Sequence, residues 1–274
     1  MAKKKTVKTV VRYLLLVVVL IAFMFPIYWM LMTSFKPREE VMVYPPIFVS
    51  TRPTLDAYFD AIRARGGLVI QNSIMVAIAT TVITTVLAAF SGYSLARFKT
   101  GGMNLAFWIL STRMLPPVAV IIPLFLMWYT LGLVDTIPGL VLAHFVLTVP
   151  FAVWLMRGFY LDIPKELEES AMVDGCSRFS ALLRVVLPVA VPGIAVTALF
   201  SFVFSWNEFL FAIVLTREAA TTMPVLVAGM HEAHGVIWSQ MAGLSALGMA
   251  PIIVLTVLAQ RYLVRGLTLG AVRG

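Results

Sequence analysis

The sequence predicts an all-α polytopic membrane protein with six transmembrane helices and both termini in the cytoplasm. Hydrophobic residues make up 61% of the 274 residues and charged residues only 12%, about half the charged share of a soluble domain. The mean hydropathy is +0.95, so the solvent around most of the chain must be lipid. Six apolar runs are each long enough to cross about 30 Å of hydrocarbon at about 1.5 Å per residue.

The spans are expected to be helical because backbone polar groups in lipid need partners within their own segment. The first apolar run follows a basic N-terminus, as a secretory signal would. Its apolar core of about 20 residues is too long for such a signal, and no small-x-small cleavage site follows it, so we interpret it as an uncleaved signal anchor. The predicted spans are residues 13–34, 71–95, 104–129, 137–159, 190–215 and 241–262.

Lysine and arginine placement sets the predicted orientation. With the N-terminus inside, fourteen of these residues lie on the cytoplasmic side and six on the outer side, and Arg113 lies within a span. Cytoplasmic loops carry the excess of basic residues in membrane proteins. The intervening segments are the basic N-terminus 1–12, an outer loop 35–70, an inner loop 160–188, a second outer loop 216–240 and a cytoplasmic tail 263–274.

The inner loop contains the most charge-rich window of the chain. Asp162 and Pro164 are typical of a helix start, and three glutamates follow near that positive helix end. The pair Asp174-Gly175 is expected to end this helix, because glycine tolerates positive φ. A second short helix should follow. Carboxylates beside an anionic leaflet are repelled, which favours a docking surface for a basic protein over a hairpin that only caps the bundle.

The pattern Glu169-x-Ala171-x₃-Gly175-x₁₁-Leu187-Pro188 resembles the coupling-loop signature of permease subunits of ATP-binding-cassette (ABC) importers. The family pattern reads Glu-Ala-Ala, three residues, Gly, nine residues, Ile, one residue, Leu-Pro. This chain has Ser170 for the first alanine and Val185 for the isoleucine, with every spacing kept.

Other motifs extend the resemblance over nearly the whole chain, to the maltose "G"-type sugar permeases. These motifs are "SFKP" (34–37), "NSIMVA" (72–77), "GYSLARF" (92–98), "RMLPP" (113–117), "LGLVDTIPGLVL" (131–142), "FSWNEFLFA" (204–212) and "GLTLGAVRG" (266–274). The resemblance implies a type I ABC importer permease fold and one half of a pore for a di- or oligosaccharide or related sugar.

The resemblance also implies partners. They are a second, homologous permease as heterodimer, two ATPase subunits, an extracytoplasmic solute-binding protein and the sugar. The inner loop would enter a cleft of the ATPase, and the tail would reach toward that interface. The residues assigned to ATPase coupling are Glu168, Glu169, Ala171, Asp174, Gly175, Leu187 and Pro188.

No phosphate-binding motif of the form GxxxxGK[ST] occurs in the sequence, so ATP and Mg²⁺ are expected on the partner ATPase, with no cofactor on this chain and no enzymatic activity of its own. The second outer loop contains His231, Glu232 and His234, which the resemblance assigns to contact with the binding protein; a plain surface loop is the alternative. The two histidines are three residues apart, unlike the HExxH of zinc proteases, so no metal site is predicted.

Polar residues within the spans are candidates for the pathway, because ionisable groups in a membrane usually face a cavity or a partner. Glu208 lies beside Trp206 and Asn207, and Arg113 and His144 lie in the third and fourth spans. Aromatic rings with amide and carboxylate groups suit sugar binding. Alternatively, these residues gate the pore, or Glu208 and Arg113 pair with one another or satisfy backbone groups at a kink near Pro116 and Pro117.

Two other functions fit parts of the pattern. An ion-coupled secondary carrier would need a relay of buried carboxylates, and only Glu208 is clearly within a span. An ABC permease for a polyol or glycerol phosphate would share these motifs. We expect the chain in the cytoplasmic (inner) membrane of a prokaryote, without nucleic-acid partners.

Overall fold

The computed structural model describes residues 2–232 and 235–269, with side chains for 8–230 and 237–262. The helices are α1 (Ala2–Ser34), α2 (Arg38–Val41), α3 (Asp56–Ala61), α4 (Gly67–Arg97), α5 (Gly102–Ser111), α6 (Pro117–Thr130), α7 (Ile137–Asp162), α8 (Glu166–Val173), α9 (Arg178–Ala181), α10 (Leu187–Val189), α11 (Val191–Trp206), α12 (Leu210–Leu215), α13 (Met223–Ala228) and α14 (Trp238–Leu269). A 3₁₀ turn follows α5 at Thr112–Met114. π-helical turns precede α4 and α10, at Ile62–Gly66 and Leu182–Val186 respectively. Two short strands pair as a small antiparallel hairpin, His231–Glu232 with Gly235–Val236.

Four helical segments within the described ranges are long and apolar enough to cross a membrane: Lys8–Ser34, Asp56–Arg97, Ile137–Asp162 and Trp238–Tyr262. Two further pairs of helices would bring the number to six if each pair is one span. The first pair, Gly102–Met114 and Pro117–Thr130, is bent by 88° and coincides with the predicted span 104–129. The second, Arg178–Val189 and Val191–Trp206, is bent by 74°. An all-α membrane protein is confirmed, and the count of six stays a prediction.

The third predicted span is interrupted because Pro116 and Pro117 follow one another. Proline removes a backbone donor, and it disfavours a helical conformation in the residue before it. Leu115 and Pro116 accordingly adopt extended ψ angles of 129° and 121°. α6 then begins at Pro117, where a proline suits the first helical turn.

The chain forms two compact units, residues 1–67 with 226–250 and residues 68–225 with 251–274. In the first unit, the most apolar 18-residue window of Lys8–Ser34 is 0% buried. Ser34 at the end of α1 hydrogen-bonds the Tyr58 hydroxyl of α3 over 2.7 Å. The Lys36 ammonium lies 4.3 Å from the centre of the Trp29 ring. The second unit contains the inner loop, the polar residues singled out within the predicted spans, and Asp135.

Close packing of α4 on α7 builds the core of the second unit. Small residues on α4, including Ala88, Ala89 and Ala96, are buried against α7 and the helices after it. At Gly92 a Cβ would lie only 2.8 Å from the Met156 Cβ, so only glycine permits this approach. Small residues at such contacts are typical of helix packing in membranes.

Candidate functional site

The inner loop folds as a short helical hairpin, as predicted. α8 ends in a Schellman motif, in which the Cys176 amide donates to the Ala171 carbonyl over 3.0 Å and the Gly175 amide donates to the Met172 carbonyl over 3.1 Å. Gly175 has φ +89°, the left-handed conformation that favours glycine at this position. The predicted break at Asp174-Gly175 is therefore confirmed.

The predicted helix start at Asp162 is wrong. Asp162 is the last residue of α7, Ile163 is extended, and α8 begins only at Glu166. Its N-cap position is held by Lys165, whose side chain makes no capping bond. The second helix does have a side-chain cap, because the Ser177 hydroxyl accepts a bond from the Ser180 amide over 3.2 Å.

Adjacent carboxylates on α8 have opposite surroundings. Glu169 is exposed and Glu168 is 6% exposed. The Glu168 carboxylate lies 3.1 Å from Arg97 Nε and also accepts a hydrogen bond from the Tyr93 hydroxyl. Arg97 donates a second bond to the Ile163 carbonyl over 3.0 Å. Glu168 therefore fastens the inner loop to the end of α4, and Glu169 is available to a partner.

The remaining predicted coupling residues divide in the same way. Ala171 is 8% exposed and packs inward. Asp174, Gly175 and Pro188 are exposed, and Leu187 is half-buried against the core. Five apolar side chains of the loop are also exposed: Leu161, Leu167, Val173, Phe179 and Leu183. The outward face of the loop thus combines apolar and acidic side chains with the exposed basic residues Lys165, Arg178 and Arg184.

A cavity of about 370 Å³ lies among α6, α7, α11 and α12, and it gathers three of the ionisable residues singled out within the predicted spans. Arg113, His144 and Glu208 all line it, together with Ser205 and Phe204. Most of its remaining wall is apolar. Convergent polar groups in a largely apolar cavity are typical of a binding site.

Glu208 lies in a break of the predicted fifth span. α11 ends at Trp206 and α12 begins at Leu210. The Glu208 carboxylate accepts bonds from the Phe211 and Ala212 amides over 2.9 and 3.0 Å, so it caps the unpaired donors at the start of α12.

His144 joins this break to α7. Its Nε2 lies 3.2 Å from Glu208 Oε2 and its Nδ1 lies 2.8 Å from the Ser205 hydroxyl. The His144 side chain is completely buried. These two contacts tie the interrupted helix to α7 in a largely apolar surrounding.

Arg113 pairs with backbone and rings. Its guanidinium donates to the Leu147 carbonyl over 2.8 Å, beside the proline-interrupted turn at Pro150. It also lies 4.3 Å from the Phe204 ring centre. The Glu208 carboxylate contacts His144, and the Arg113 guanidinium bonds a backbone carbonyl of α7. The pathway role and the structural role predicted for Arg113 both stay predictions.

Trp206 and Asn207 do not line the cavity. Trp206 is 3% exposed and stacks on Phe202 with ring centres 5.5 Å apart. The Asn207 amide donates to the Val203 carbonyl of its own helix over 2.8 Å. Of the five polar or aromatic residues singled out for the pathway, Arg113, His144 and Glu208 line this one cavity.

Asp135 holds the segment that opens the second outer loop, a role the sequence analysis missed. Its carboxylate accepts bonds from the backbone amides of residues 217–220, at 2.9 to 3.2 Å. Partial burial raises the pKa of this carboxyl, but those amides outweigh it and lower the pKa from 3.8 to about 2. Backbone donors leave no side-chain signal, so only the acidic residue in "LVDT" could have suggested this contact.

The side chains of His231 and Glu232, like the whole of His234, lie outside the described residues, so the predicted binding-protein contact stays a prediction. The same holds for the tail from residue 270. Within residues 2–232 and 235–269, no group of three or more His, Cys, Asp or Glu residues is placed to hold a metal ion.

Comparison with known proteins agrees with this geometry. The family model described as "Binding-protein-dependent transport system inner membrane component" matches residues 84–269. The diacetylchitobiose uptake system permease protein DasC of Streptomyces coelicolor is 33% identical over 261 residues, covering 94% of this chain and 95% of that protein. The trehalose/maltose transport system permease protein MalG of Thermococcus litoralis is 29% identical over 278 residues, covering 99% of each.

A solved structure shows the same fold. One chain of a bacterial ABC transporter involved in the import of the acidic polysaccharide alginate aligns with a TM-score of 0.77 at 21% identity, covering 94% of this chain and 97% of that chain. The predicted fold of an ABC importer permease is confirmed.

Proposed function

Because the chain belongs to the family of binding-protein-dependent transport system inner membrane components, we propose that it is the permease subunit of an ATP-driven importer of a di- or oligosaccharide or related sugar. It forms half of the translocation pore, beside a second, homologous permease. Two ATPase subunits bind ATP and Mg²⁺ and hydrolyse the nucleotide. A solute-binding protein delivers the sugar at the outer side of the inner membrane of a prokaryote.

The observation that carries the proposal is the surface of the inner loop. Glu169 and Asp174 supply negative charge, and Val173 and Phe179 are 87% and 62% exposed. Exposed apolar side chains rimmed by charge mark contact surfaces for proteins. The surface fits a cleft on an ATPase that offers basic and apolar groups.

The inner loop is also firmly attached to the end of α4. Arg97 and Tyr93 hold Glu168 on its inward side, and the Arg178 guanidinium lies 5.6 Å from the Phe98 ring centre. Both helices of the loop are therefore attached to the end of α4. Closure of the ATPase dimer would displace the loop as one body and shift the spans attached to it, which biases a two-state equilibrium of the pore.

A carbohydrate substrate is supported by the near full-length relatives named for diacetylchitobiose and for trehalose and maltose uptake. The cavity around Arg113 is compatible with such a substrate, since guanidinium donors can bind hydroxyl oxygens and the Phe204 ring can pack on sugar C–H groups. Glu208 is committed to His144 and to the start of α12. We therefore assign Glu208 and His144 to holding the broken helix, and Arg113 to lining the pathway.

Co-purification and uptake test the proposal. The chain is solubilised from its own host with an affinity tag, and the co-purifying proteins are identified by mass spectrometry. We expect a second permease and an ABC ATPase. The reconstituted complex, with its binding protein, should import labelled disaccharides in an ATP-dependent way. Recovery of the chain without any ATPase, or uptake driven by an ion gradient alone, would contradict the proposal.

A further inference from the structure

We propose that α4 connects the outer segment 217–223 to the inner loop, so that docking of the binding protein is transmitted along this one helix to the ATPase contact. The inference rests on the proposed function, and it adds a route and positioning residues to it. α4 runs without interruption over 31 residues, Gly67–Arg97, a length of about 45 Å at 1.5 Å per residue.

The outer end of α4 is bonded to the 217–223 segment by buried side chains. The Asn72 amide donates to the Ala219 and Thr221 carbonyls over 2.9 and 3.0 Å. The Ser73 hydroxyl accepts from the Met223 amide over 2.8 Å. Asn72 and Ser73 are 5% and 3% exposed. Because buried backbone groups need partners, a shift of the segment must carry α4 with it.

The 217–223 segment is itself stiff. Four consecutive amides, 217–220, are bound by the single Asp135 carboxylate, and the Asp135 amide donates back to the Leu215 carbonyl over 2.8 Å. The segment is the first part of the second outer loop and leads directly into α13. A partner that displaces this loop therefore acts on a segment that is held rigid by hydrogen bonds. Such a segment passes its displacement on to α4 instead of deforming.

The inner end of α4 is bonded to the inner loop. Arg97 pairs with Glu168 and donates to the Ile163 carbonyl, and Tyr93 donates to the same glutamate. The Arg97 and Glu168 side chains are only 5% and 8% exposed. Bonds to charged groups at this burial are stronger than neutral surface bonds, so the inner loop follows the end of α4.

Between its two ends α4 is fixed laterally on α7. The Thr84 and Thr148 hydroxyls hydrogen-bond over 3.0 Å, and the Gly92 backbone lies against Met156. Because α4 and α7 are in close contact, they cannot move apart, and the two helices can only slide along their axes or rotate together. Both motions act on the inner loop, because α7 also ends there.

The covalent route between the same two sites is a poorer transmitter. From the inner loop the chain passes through α11 and α12 to reach residue 217. That path is bent by 74° near Ala190 and is non-helical between Trp206 and Leu210. At each of these two breaks a displacement can be absorbed by local changes in backbone dihedral angles. α4 has no such break between its ends.

The test uses the complete complex, with both permeases, the ATPase and the binding protein, in proteoliposomes. Asn72→Ala and Arg97→Gln each remove one end of the connection. We expect both variants to assemble, Arg97→Gln with a lower melting temperature because it breaks a buried ion pair. The stimulation of hydrolysis by sugar-loaded binding protein, relative to each variant's own basal rate, should fall about fivefold or more. Ser91→Ala is the matched control, because the Ser91 hydroxyl bonds only to the Leu87 carbonyl of α4 itself. In the double variant the stimulation of ATP hydrolysis should be no lower than in either single variant, since both substitutions interrupt the same route.

Hydrogen exchange gives a second readout that a general loss of stability would not reproduce. In the wild-type complex, docking of the binding protein should change exchange in peptides covering 163–181. In Asn72→Ala that change should disappear while exchange without binding protein stays the same. Arg97→Lys keeps a positive charge beside the Glu168 carboxylate, so it should retain part of the change in exchange that docking produces. Wild-type stimulation in both Asn72→Ala and Arg97→Gln would overturn the inference. A wild-type complex that hydrolyses no ATP would overturn the proposed function and the inference together.

Discussion

At the residue scale, Glu168 and Glu169 show how one peptide bond separates two roles. Glu168 is buried against Arg97 and Tyr93, and Glu169 is exposed. Both are among the three glutamates in the first turn of α8, so charge alone does not distinguish them. Only the direction in which each side chain leaves the helix does so, because neighbouring positions are about 100° apart around the axis.

Replacing these carboxylates should therefore have different effects on stability. Glu168→Gln leaves the Arg97 guanidinium buried without a counter-charge, and breaking a buried pair costs about 3 kcal/mol. Glu169→Gln should cost less than about 0.5 kcal/mol, as exposed substitutions do. Thermal unfolding of the purified subunits in detergent measures both. Equal melting temperatures for the two variants would contradict the anchoring role of Glu168.

The Asp135 contact gives a pH prediction. Its folded pKa is depressed, from 3.8 to about 2. The contact therefore contributes full stability above about pH 4 and loses it as pH falls toward 2. Hydrogen exchange of residues 216–223, corrected for intrinsic rates, should show constant protection from pH 7 to pH 4.5.

Asp135→Asn should lower the protection of residues 216–223 from exchange at every pH, because an amide cannot supply a charged acceptor to four donors. Asp60→Asn, at a carboxylate outside this contact, is the control. Progressive loss of protection in the wild type between pH 7 and pH 5 would show that a different group holds the segment.

At the element scale, the inner loop depends on a backbone conformation at Gly175. A φ of +89° is available to glycine and costs other residues about 1 kcal/mol. Proline is excluded altogether, since its ring fixes φ near −65° and removes the amide that bonds to Met172. The turn sets the angle between the two helices that form the outward face.

Gly175→Pro should leave membrane insertion intact and abolish stable association with the ATPase. Gly158→Ala is the matched control, because a Cβ at that position meets nothing within 4 Å. Co-purification of the ATPase with each variant is the measurement. Wild-type recovery of the ATPase with Gly175→Pro would show that the turn is not required for docking.

The break between α11 and α12 is the second element with a defined prediction. Glu208→Ala removes the acceptors at the start of α12 and should cost about 1 kcal/mol, with reduced uptake. Glu208→Gln keeps one acceptor oxygen and should show a smaller loss. Melting temperature and uptake are both measured in the assembled complex. A Glu208→Gln variant unchanged in both would remove the assigned role.

At the scale of the whole molecule, composition and loop motifs predicted the membrane class, the family and the hairpin in the inner loop. The pair Pro116-Pro117 suggested a kink in the third span, but nothing in the sequence predicted the break at 207–209, because those residues lie inside a predicted span. Nor did the sequence predict the 217–220 contact, since backbone amides carry no residue-specific signal. The Glu168–Arg97 pair joins residues 71 positions apart, and such pairing appears only once α4 and α8 are packed.

The central claim is that the inner loop couples ATP hydrolysis on a partner to sugar uptake through this chain. The most direct measurement is the ratio of sugar imported to ATP hydrolysed in proteoliposomes, for wild type and Glu169→Lys, with the exposed-charge variant Glu39→Lys as control. We predict that Glu169→Lys assembles, retains hydrolysis and loses at least about tenfold in the ratio, a change of about 1.4 kcal/mol. An unchanged ratio in a correctly assembled Glu169→Lys complex would contradict the account.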